Sequence, residues 1–144
     1  MRIDGQWLLC DDGIVRPVIA SEILASDGSW VKVRLLVDTG ADRTVFSAED
    51  LAVLQLSPLP SLQQLGGVGG EAATVRVETQ IRMAVDDGGK ATFRGQFSAF
   101  TDPDALDMSV LGRDITDFFA LIVDRPGDTV CLLGQQHGYA IGLK

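Results

Sequence analysis

One segment of the sequence carries an acidic side chain directly at the end of an apolar strand. Residues 35–42 read Leu-Leu-Val-Asp-Thr-Gly-Ala-Asp, so Asp38 ends the apolar run and Gly40 permits an immediate turn. A carboxyl group at this point is partly withdrawn from water and can act as a general acid or base. Asp-Thr-Gly also occurs as an ordinary strand-to-turn sequence, because short motifs recur by chance. The role of Asp38 therefore depends on the segments that accompany it.

A glycine-rich segment follows, and it permits three interpretations: a mobile hairpin tip, a plain surface turn or a phosphate-binding loop. A phosphate loop of the dinucleotide type needs a helix after it, and a strand with a period of two follows instead. A third segment, residues 110–114, is an apolar strand end followed by a glycine, a base and an acid. The two segments consist of Gly66, Gly67, Val68, Gly69 and Gly70, and of Val110, Leu111, Gly112, Arg113 and Asp114.

Other catalytic and metal-binding chemistries have little to build on. His137 is the single histidine, which argues against a Ser-His-Asp triad and against a histidine zinc site. The spacing of Asp102, Asp104 and Asp107 lacks the glycine and the glutamate of an EF-hand loop, so it indicates a solvated loop. A glycosidase needs a defined separation between two carboxylates, and no spacing here demonstrates one. We therefore expect no metal and no cofactor.

Alternation of apolar and polar residues predicts that the elements around these segments are mostly strands. Residues 31–37 and 75–85 each carry apolar side chains on one parity. Short turns such as Asp86-Asp87-Gly88-Gly89 connect successive strands and indicate antiparallel pairing. Ser47 and Asp50 resemble a capping box at the start of a short helix. The expected fold is a small, mainly β barrel with one or two short helices.

Length, charge and hydropathy limit the protein class. The chain has 144 residues and a net charge of −8 at pH 7, which fits a single domain over residues 1–144. The acidic balance repels phosphate backbones and argues against nucleic acid as a partner. No apolar run approaches the ~20 residues of a membrane helix, and residues 1–10 lack a signal-peptide core. We therefore expect a cytoplasmic protein without membrane insertion, in which Cys10 and Cys131 remain thiols.

Three motifs in this order resemble the retroviral-type aspartic proteases, the retropepsins and their cellular relatives. They are Asp-Thr-Gly-Ala-Asp, Gly-Gly-Val-Gly-Gly and Leu-Gly-Arg, and the resemblance covers residues 15–133. It implies a closed antiparallel acid-protease barrel with a glycine-rich flap hairpin at residues 66–70 that closes over the substrate. It also implies that Val110, Leu111 and Gly112 pack beneath the Asp-Thr-Gly loop.

The resemblance further implies an active site shared between two chains, because its mechanism needs two carboxylates and this chain has one Asp-Thr-Gly. In a homodimer, Asp38 of each subunit meets at the two-fold axis, where the pair shares one proton and activates a water that hydrolyses a peptide bond. Thr39 would bond across the axis, and the Gly40 amide would approach the carboxylate. The implied supporting roles are substrate contact by Ala41, Asp42 and the flap, an ion pair of Arg113 with Asp42, and contact of Arg16 with Asp42 of the partner subunit.

The sequence also departs from the retroviral pattern. Residues 1–13 and 134–144 are additional, and Asp114 stands where retroviral members usually carry an amide. A non-catalytic retropepsin-like module for peptide binding or dimerisation and an unrelated β-barrel are the alternative interpretations. The intact Asp-Thr-Gly favours an enzyme, because a module relieved of catalysis has no physical need for an acid in this turn. We therefore expect a homodimeric aspartic endopeptidase that acts on peptides or proteins.

Overall fold

The computed structural model describes residues 1–60, 73–134 and 142, and strands dominate this part of the chain. Neither of its helices is long and apolar enough to cross a membrane. The strands are β1 (Arg2–Asp4), β2 (Gln6–Leu9), β3 (Val15–Leu24), β4 (Trp30–Val37), β5 (Val45–Phe46), β6 (Thr74–Ala84), β7 (Lys90–Phe100), β8 (Val110–Leu111), β9 (Ala120–Asp124) and β10 (Thr129–Leu133), and the helices are α1 (Ala48–Leu54) and α2 (Arg113–Thr116).

Seven of these strands form one sheet in the order β2-β3-β4-β8-β5-β7-β6, and β3 also pairs with β6. The pairs β4–β8 and β5–β7 are parallel, whereas their neighbours run antiparallel. The β3–β6 contact comprises two residue pairs, Glu22 with Arg82 and Ile23 with Ile81. The fold is thus mainly β as predicted, but the described residues do not show the closed antiparallel barrel, and two of the strand pairs are parallel. The strands of the parallel pairs are far apart in the sequence, so no short turn dictates their direction.

The longest hairpin follows the sequence pattern closely. β6 and β7 pair from Thr74 opposite Phe100 to Ala84 opposite Lys90. One parity of this hairpin is buried, including Val77, Ile81, Met83, Phe97 and Ala99. The turn uses Gly88 at a φ of 90°, a conformation that favours glycine. Alternation and turn chemistry together determine this register.

The core lies between the inward faces of the strands and under α1. Phe46 is fully buried and packs against Phe97 with ring centroids 5.8 Å apart. Leu54 anchors α1 in the same core, and Ile3 and Leu132 join it from the second sheet, which has the order β1-β10-β9. Burial of each large apolar side chain contributes about 1.5–3 kcal/mol. This core holds the short strands β5 and β8, which flank the Asp38 loop.

Helix α1 begins as the capping pattern predicts. The Ser47 hydroxyl accepts a hydrogen bond from the Asp50 amide, which satisfies one of the free N–H groups of the first turn. The backbone N–H of Ser47 in turn donates to the hydroxyl of Ser109, just before β8. The Ser109 hydroxyl donates to the Asp50 carboxylate at 2.5 Å. The start of α1 is therefore connected to β8 by buried polar contacts.

An ion cluster connects β3 to the β6–β7 hairpin. Arg82 donates to the Glu22 carboxylate at 3.1 and 3.3 Å, and Lys90 donates to it at 2.5 Å. The Arg82 guanidinium also lies 3.9 Å from the centroid of the Trp30 ring. Hydrogen bonds from Arg82 and then from Lys90 lower the pKa of Glu22 from 4.5 to about 2. The ionised carboxylate is therefore favoured in the folded protein.

β8 leads into α2 through Gly112, which passes close to the backbone of residues 43 and 44. A Cβ atom at Gly112 would lie 2.7 Å from the Thr44 nitrogen and closer still to the Arg43 carbonyl. The φ of Gly112 is −96°, so its conformation is open to any residue and only the close approach demands glycine. This crossing sets the distance between β8 and the chain that follows Asp38.

We predict that Gly112→Ala lowers the free energy of unfolding by about 2–3 kcal/mol, because the added methyl group meets backbone atoms that cannot rotate away. The measurement is urea unfolding of both proteins. Gly95→Ala is the matched control, since a Cβ at Gly95 in β7 meets no atom within 4 Å. Equal stability of the two variants would contradict the close crossing.

We also predict that Glu22 makes stability depend on acid pH. Because its pKa is lowered on folding, its contribution is complete above its ordinary value of 4.5 and is lost as the pH falls towards about 2. Since the Glu22 side chain is 26% exposed, we expect a discounted effect of about 1–2 kcal/mol. Glu22→Gln should lower the free energy of unfolding at neutral pH and should have the same stability as the wild type near pH 2. Glu78→Gln, at an exposed position of β6, is the control, and a pH-independent effect of Glu22→Gln would refute the assignment.

Candidate active site

The Asp38 carboxylate lies where β4 ends, and the turn after it holds it in place. Asp38 is half-buried, while Thr39 and Gly40 are exposed. The Gly40 backbone N–H donates to Asp38 Oδ1 at 2.9 Å, and the Ala41 N–H donates to the Asp38 carbonyl oxygen at 3.2 Å. A Cβ at Gly40 would lie 3.2 Å from Asp38 Oδ1, so the absence of a side chain permits the close approach. The turn thus directs one oxygen of the Asp38 carboxylate towards its own backbone and leaves the other oxygen available.

The strand beneath this loop is β8. It runs parallel to β4, with Val110 opposite Leu36 and Leu111 opposite Val37. The Asp38 N–H donates to the Leu111 carbonyl oxygen at 3.2 Å, and beyond Gly112 the Arg113 N–H donates to the Ala41 carbonyl at 2.9 Å. Backbone hydrogen bonds therefore attach the segment 110–113 to the Asp38 loop on both sides of the carboxylate.

A buried hydroxyl adds a second attachment that sequence reasoning did not find. Thr44 is fully buried, and its N–H and its hydroxyl both donate to Asp114 Oδ1, at 2.9 and 2.7 Å. The same hydroxyl accepts from the Gly112 N–H at 3.1 Å. Asp114 lies in the first turn of α2, whose N-cap is Gly112. The sequence gives little indication of this role, because a threonine after Arg43 forms no pattern that predicts burial.

The two predicted ion pairs have different outcomes within one chain. Arg113 and Asp42 form a salt bridge in which the Asp42 side chain is 81% exposed, and such pairs contribute under about 1 kcal/mol. Arg16 instead donates to both oxygens of Asp12, at 2.9 and 2.6 Å. Hydrogen bonds from Arg16 and then from the Ile14 amide lower the pKa of Asp12 to about 2. Contact of Arg16 with a partner's Asp42 would thus compete with this local pair.

The other residues singled out in the sequence are the flap residues and the two cysteines. The flap residues Gly66, Gly67, Val68, Gly69 and Gly70 lie outside the described residues. Cys10 and Cys131 are both free thiols. Among residues 1–60, 73–134 and 142, no group of three or more histidine, cysteine or acidic side chains could hold a metal ion.

The arrangement provides one oriented carboxylate on a braced loop, with an exposed hydroxyl beside it. Asp38 can accept a proton from a water molecule or donate one to a carbonyl oxygen, depending on its protonation state. The sequence contains a single Asp-Thr-Gly. One chain therefore supplies one such carboxylate.

Comparison with known proteins gives an independent result. Residues 24–115 match the family described as aspartyl protease. A retropepsin-like aspartic protease from Rickettsia conorii aligns with a TM-score of 0.58 and 19% identity, over 92% of this chain and 89% of that one. The EIAV protease complexed with the inhibitor HBY-793 aligns with a TM-score of 0.49 and 24% identity, over 71% of this chain and 86% of that one. No curated protein sequence matches significantly.

The matched region includes β4, the Asp38 loop, α1, the β6–β7 hairpin, β8 and most of α2. It thus contains all the residues described above that contact the Asp38 carboxylate or hold its loop in place. The fold agrees with that of the Rickettsia conorii protein over nearly the whole chain. This chain is a member of the aspartyl protease family and has a retropepsin-like fold.

Proposed function

We propose that the protein is an aspartic endopeptidase, one domain over residues 1–144, which hydrolyses peptide bonds as a homodimer. The observation that carries the proposal is the Asp38 carboxylate, which accepts a hydrogen bond from Gly40 and lies on a loop bonded to β8. Membership of the aspartyl protease family supports the same reaction. The Thr44–Asp114 contact supports it further, because a catalytic carboxylate has to be held in a fixed orientation.

In the proposed reaction, two Asp38 side chains share one proton across a bound water molecule. The ionised carboxylate takes a proton from the water, whose oxygen attacks the carbonyl carbon of the peptide bond. The protonated Asp38 of the partner subunit donates to the carbonyl oxygen, which gives a tetrahedral intermediate. A proton then passes to the amide nitrogen, the C–N bond breaks, and a carboxylic acid and an amine leave. Two carboxylates about 3 Å apart cannot both ionise, so the two roles arise together.

We propose that the second copy joins at the β9 edge. Among the described residues, β9 pairs on one side with β10, so its other edge can accept a strand. Phe118 just before it is 73% exposed, and Ile122 and Val123 in it are 39% and 43% exposed. β9 follows α2, which is attached to the Asp38 loop. Antiparallel pairing of two β9 strands is isologous and satisfies both edges with one contact.

The substrate would lie across the loop and beneath the glycine-rich flap. In this proposal Asp42 and Ala41 contact the substrate backbone, and the Arg113 salt bridge keeps Asp42 in place. Thr39 of each subunit bonds across the axis. The four glycines among residues 66–70 permit the backbone rearrangement that a flap needs when it closes over a peptide.

We predict that Asp38→Asn lowers kcat/KM for peptide cleavage by at least about 10²-fold, because the side-chain amide of asparagine cannot act as the general base. Mixing the variant with the wild type adds a test of the pair. If both chains contribute, an equal mixture that re-equilibrates keeps about one quarter of its dimers intact. If each chain works alone, half of the wild-type activity remains. Wild-type protein that cleaves nothing in a peptide library would instead favour the non-catalytic module.

We predict that Phe118→Asp raises the dimer dissociation constant at least about tenfold, because a carboxylate would replace an apolar contact at the joint. Sedimentation measures the dissociation constant, and the specific activity of the wild type should fall on dilution below it. Val53→Asp is the matched control, since Val53 is 58% exposed on α1, away from β9. Equal effects of both variants would exclude the β9 edge as the contact.

A further inference from the structure

One face of the seven-stranded sheet carries a row of side chains that begins beside the Asp38 loop and ends on β6. The strand registers place five side chains next to one another across β4, β8, β5, β7 and β6, in the order Leu36, Val110, Val45, Ser98 and Arg76. Side chains paired in this way project to the same face of a sheet. Leu36 lies two residues before Asp38, so alternation assigns Asp38 to the face that carries the row.

This face is turned away from the hydrophobic core. The residues that follow the row by one position, among them Val37, Phe46, Ala99 and Leu111, belong to the core, whereas the five side chains of the row lie outside it. The row therefore lies on the side of the sheet that carries the Asp38 carboxylate. In the proposed function, this is the side on which the substrate lies.

Two polar atoms at the far end of the row have no hydrogen-bond partner among the described residues. They are Ser98 Oγ and Arg76 Nε. Ser98 is 3% exposed and Arg76 is half-buried. Because the two residues are directly opposite, their Cβ atoms are separated by about 5 Å, and both side chains can reach the same ligand group. A covered donor without an acceptor costs free energy, so this end of the row lacks an acceptor.

We propose that Arg76 and Ser98 form a specificity subsite, which binds a carboxylate side chain of the substrate. The inference rests on the proposed protease function. The Arg76 guanidinium carries a permanent charge and a planar fork of N–H groups that matches the two oxygens of a carboxylate, and the Ser98 hydroxyl adds one donor. An ammonium group offers only donors and would be repelled. An amide has the shape of a carboxylate but lacks its charge.

The charges around Arg76 leave it free to bind such a ligand. Among the described residues, no salt bridge involves Arg76. The nearest acid on the same face of β6 is Glu78, which is exposed and lies two residues further along the strand. Asp42, beside the Asp38 loop, is paired with Arg113. Nearby acids therefore do not neutralise the guanidinium in the free chain.

Binding requires the Arg76 side chain to turn, because both unpartnered atoms are covered in the free chain. The backbone stays in place, since β6 pairs with β7 along its length and the Arg76 carbonyl oxygen accepts from the Leu59 N–H at 2.8 Å. A turn of the side chain brings Nε to the ligand, where it gains the acceptor that it lacks. The gain in binding is larger for a carboxylate than for an amide, because the hydrogen bond then joins two charged groups.

The length of the row indicates which substrate residue reaches the subsite. Neighbouring strands are about 4.8 Å apart, so the four spacings from Leu36 to Arg76 cover about 19 Å. The side chains of Arg76 and of the ligand shorten this span, and an extended peptide advances by about 3.3 Å per residue. The Ser98 N–H also donates to the Thr44 carbonyl oxygen at 3.4 Å, which fixes the subsite relative to the Asp38 loop. We expect the carboxylate roughly three or four residues from the bond that is cleaved.

The binding experiment uses the full-length Asp38→Asn protein, so that cleavage does not interfere. The probes are fluorescein-labelled octapeptides with Phe-Leu at the centre and alanine elsewhere, in which one alanine at a time is replaced by glutamate or by glutamine. By fluorescence anisotropy we expect glutamate to bind at least about fivefold tighter than glutamine at one or two positions, because a two-fold dimer offers the subsite once in each subunit. At the other positions the two probes should bind equally.

Variants of the two residues separate recognition from a structural role. Arg76→Gln should abolish the preference for glutamate, whereas Arg94→Gln, at an exposed position on the same face of the hairpin, should retain it. Ser98→Ala should reduce the preference about threefold without lowering the urea midpoint of unfolding, because the Ser98 hydroxyl has no partner to lose among the described residues. A purely structural role of Ser98 would instead lower the midpoint and leave the preference unchanged.

A kinetic experiment then distinguishes the subsite from the proposed protease function. With Asp38 intact, kcat/KM should be at least about fivefold higher for the preferred glutamate peptide than for its glutamine partner, and Arg76→Gln should bring this ratio to about one. Absent or equal binding of the paired probes at every position, or a preference that survives Arg76→Gln, would overturn the proposal. Selective binding that depends on Arg76, in a protein that cleaves no peptide, would retain the subsite and refute the protease function.

Discussion

The structure of the candidate site depends on one buried hydroxyl, that of Thr44. It donates to Asp114 and accepts from the Gly112 amide, so a single oxygen connects the chain after Asp38 with the start of α2. A buried hydroxyl without partners would cost free energy, and here each of its bonds also joins two segments. With Gly112 free of a side chain, the segments approach closely enough for these bonds to form. This contact holds the chain after Asp38 against the start of α2, while the Gly40 amide orients the carboxylate itself.

Charge in this protein is arranged in local groups. Arg16 with Asp12, and Arg82 and Lys90 with Glu22, neutralise one another at the two ends of β3. The charges outside these pairs remain mostly acidic, in keeping with the net charge of −8.

Local features of the fold could be predicted from the sequence, whereas long-range pairings could not. The period of two and the turn at Gly88 predict the β6–β7 hairpin, and the spacing of Ser47 and Asp50 predicts the start of α1. The parallel pairing of β4 with β8 is between distant segments that no turn connects, so local signals carry no information about it. In the site, the Asp-Thr-Gly motif indicates the carboxylate and its turn. The burial of Thr44 depends on packing between distant segments, and the pairing of Arg16 with Asp12 depends on the path of the loop before β3; the sequence pattern indicates neither.

The contacts of Thr44 with Asp114 and of Arg113 with Asp42 join residues that are 70 and 71 positions apart. During translation, a ribosome-bound chain that ends before Asp114 therefore contains the Asp-Thr-Gly motif without all of the contacts that hold its loop in place. Closing so long a loop is slow compared with forming a hairpin, which makes this assembly a late step in folding. The contacts that fix the loop of Asp38 therefore wait for the segment around α2, and the delay is a property of the topology.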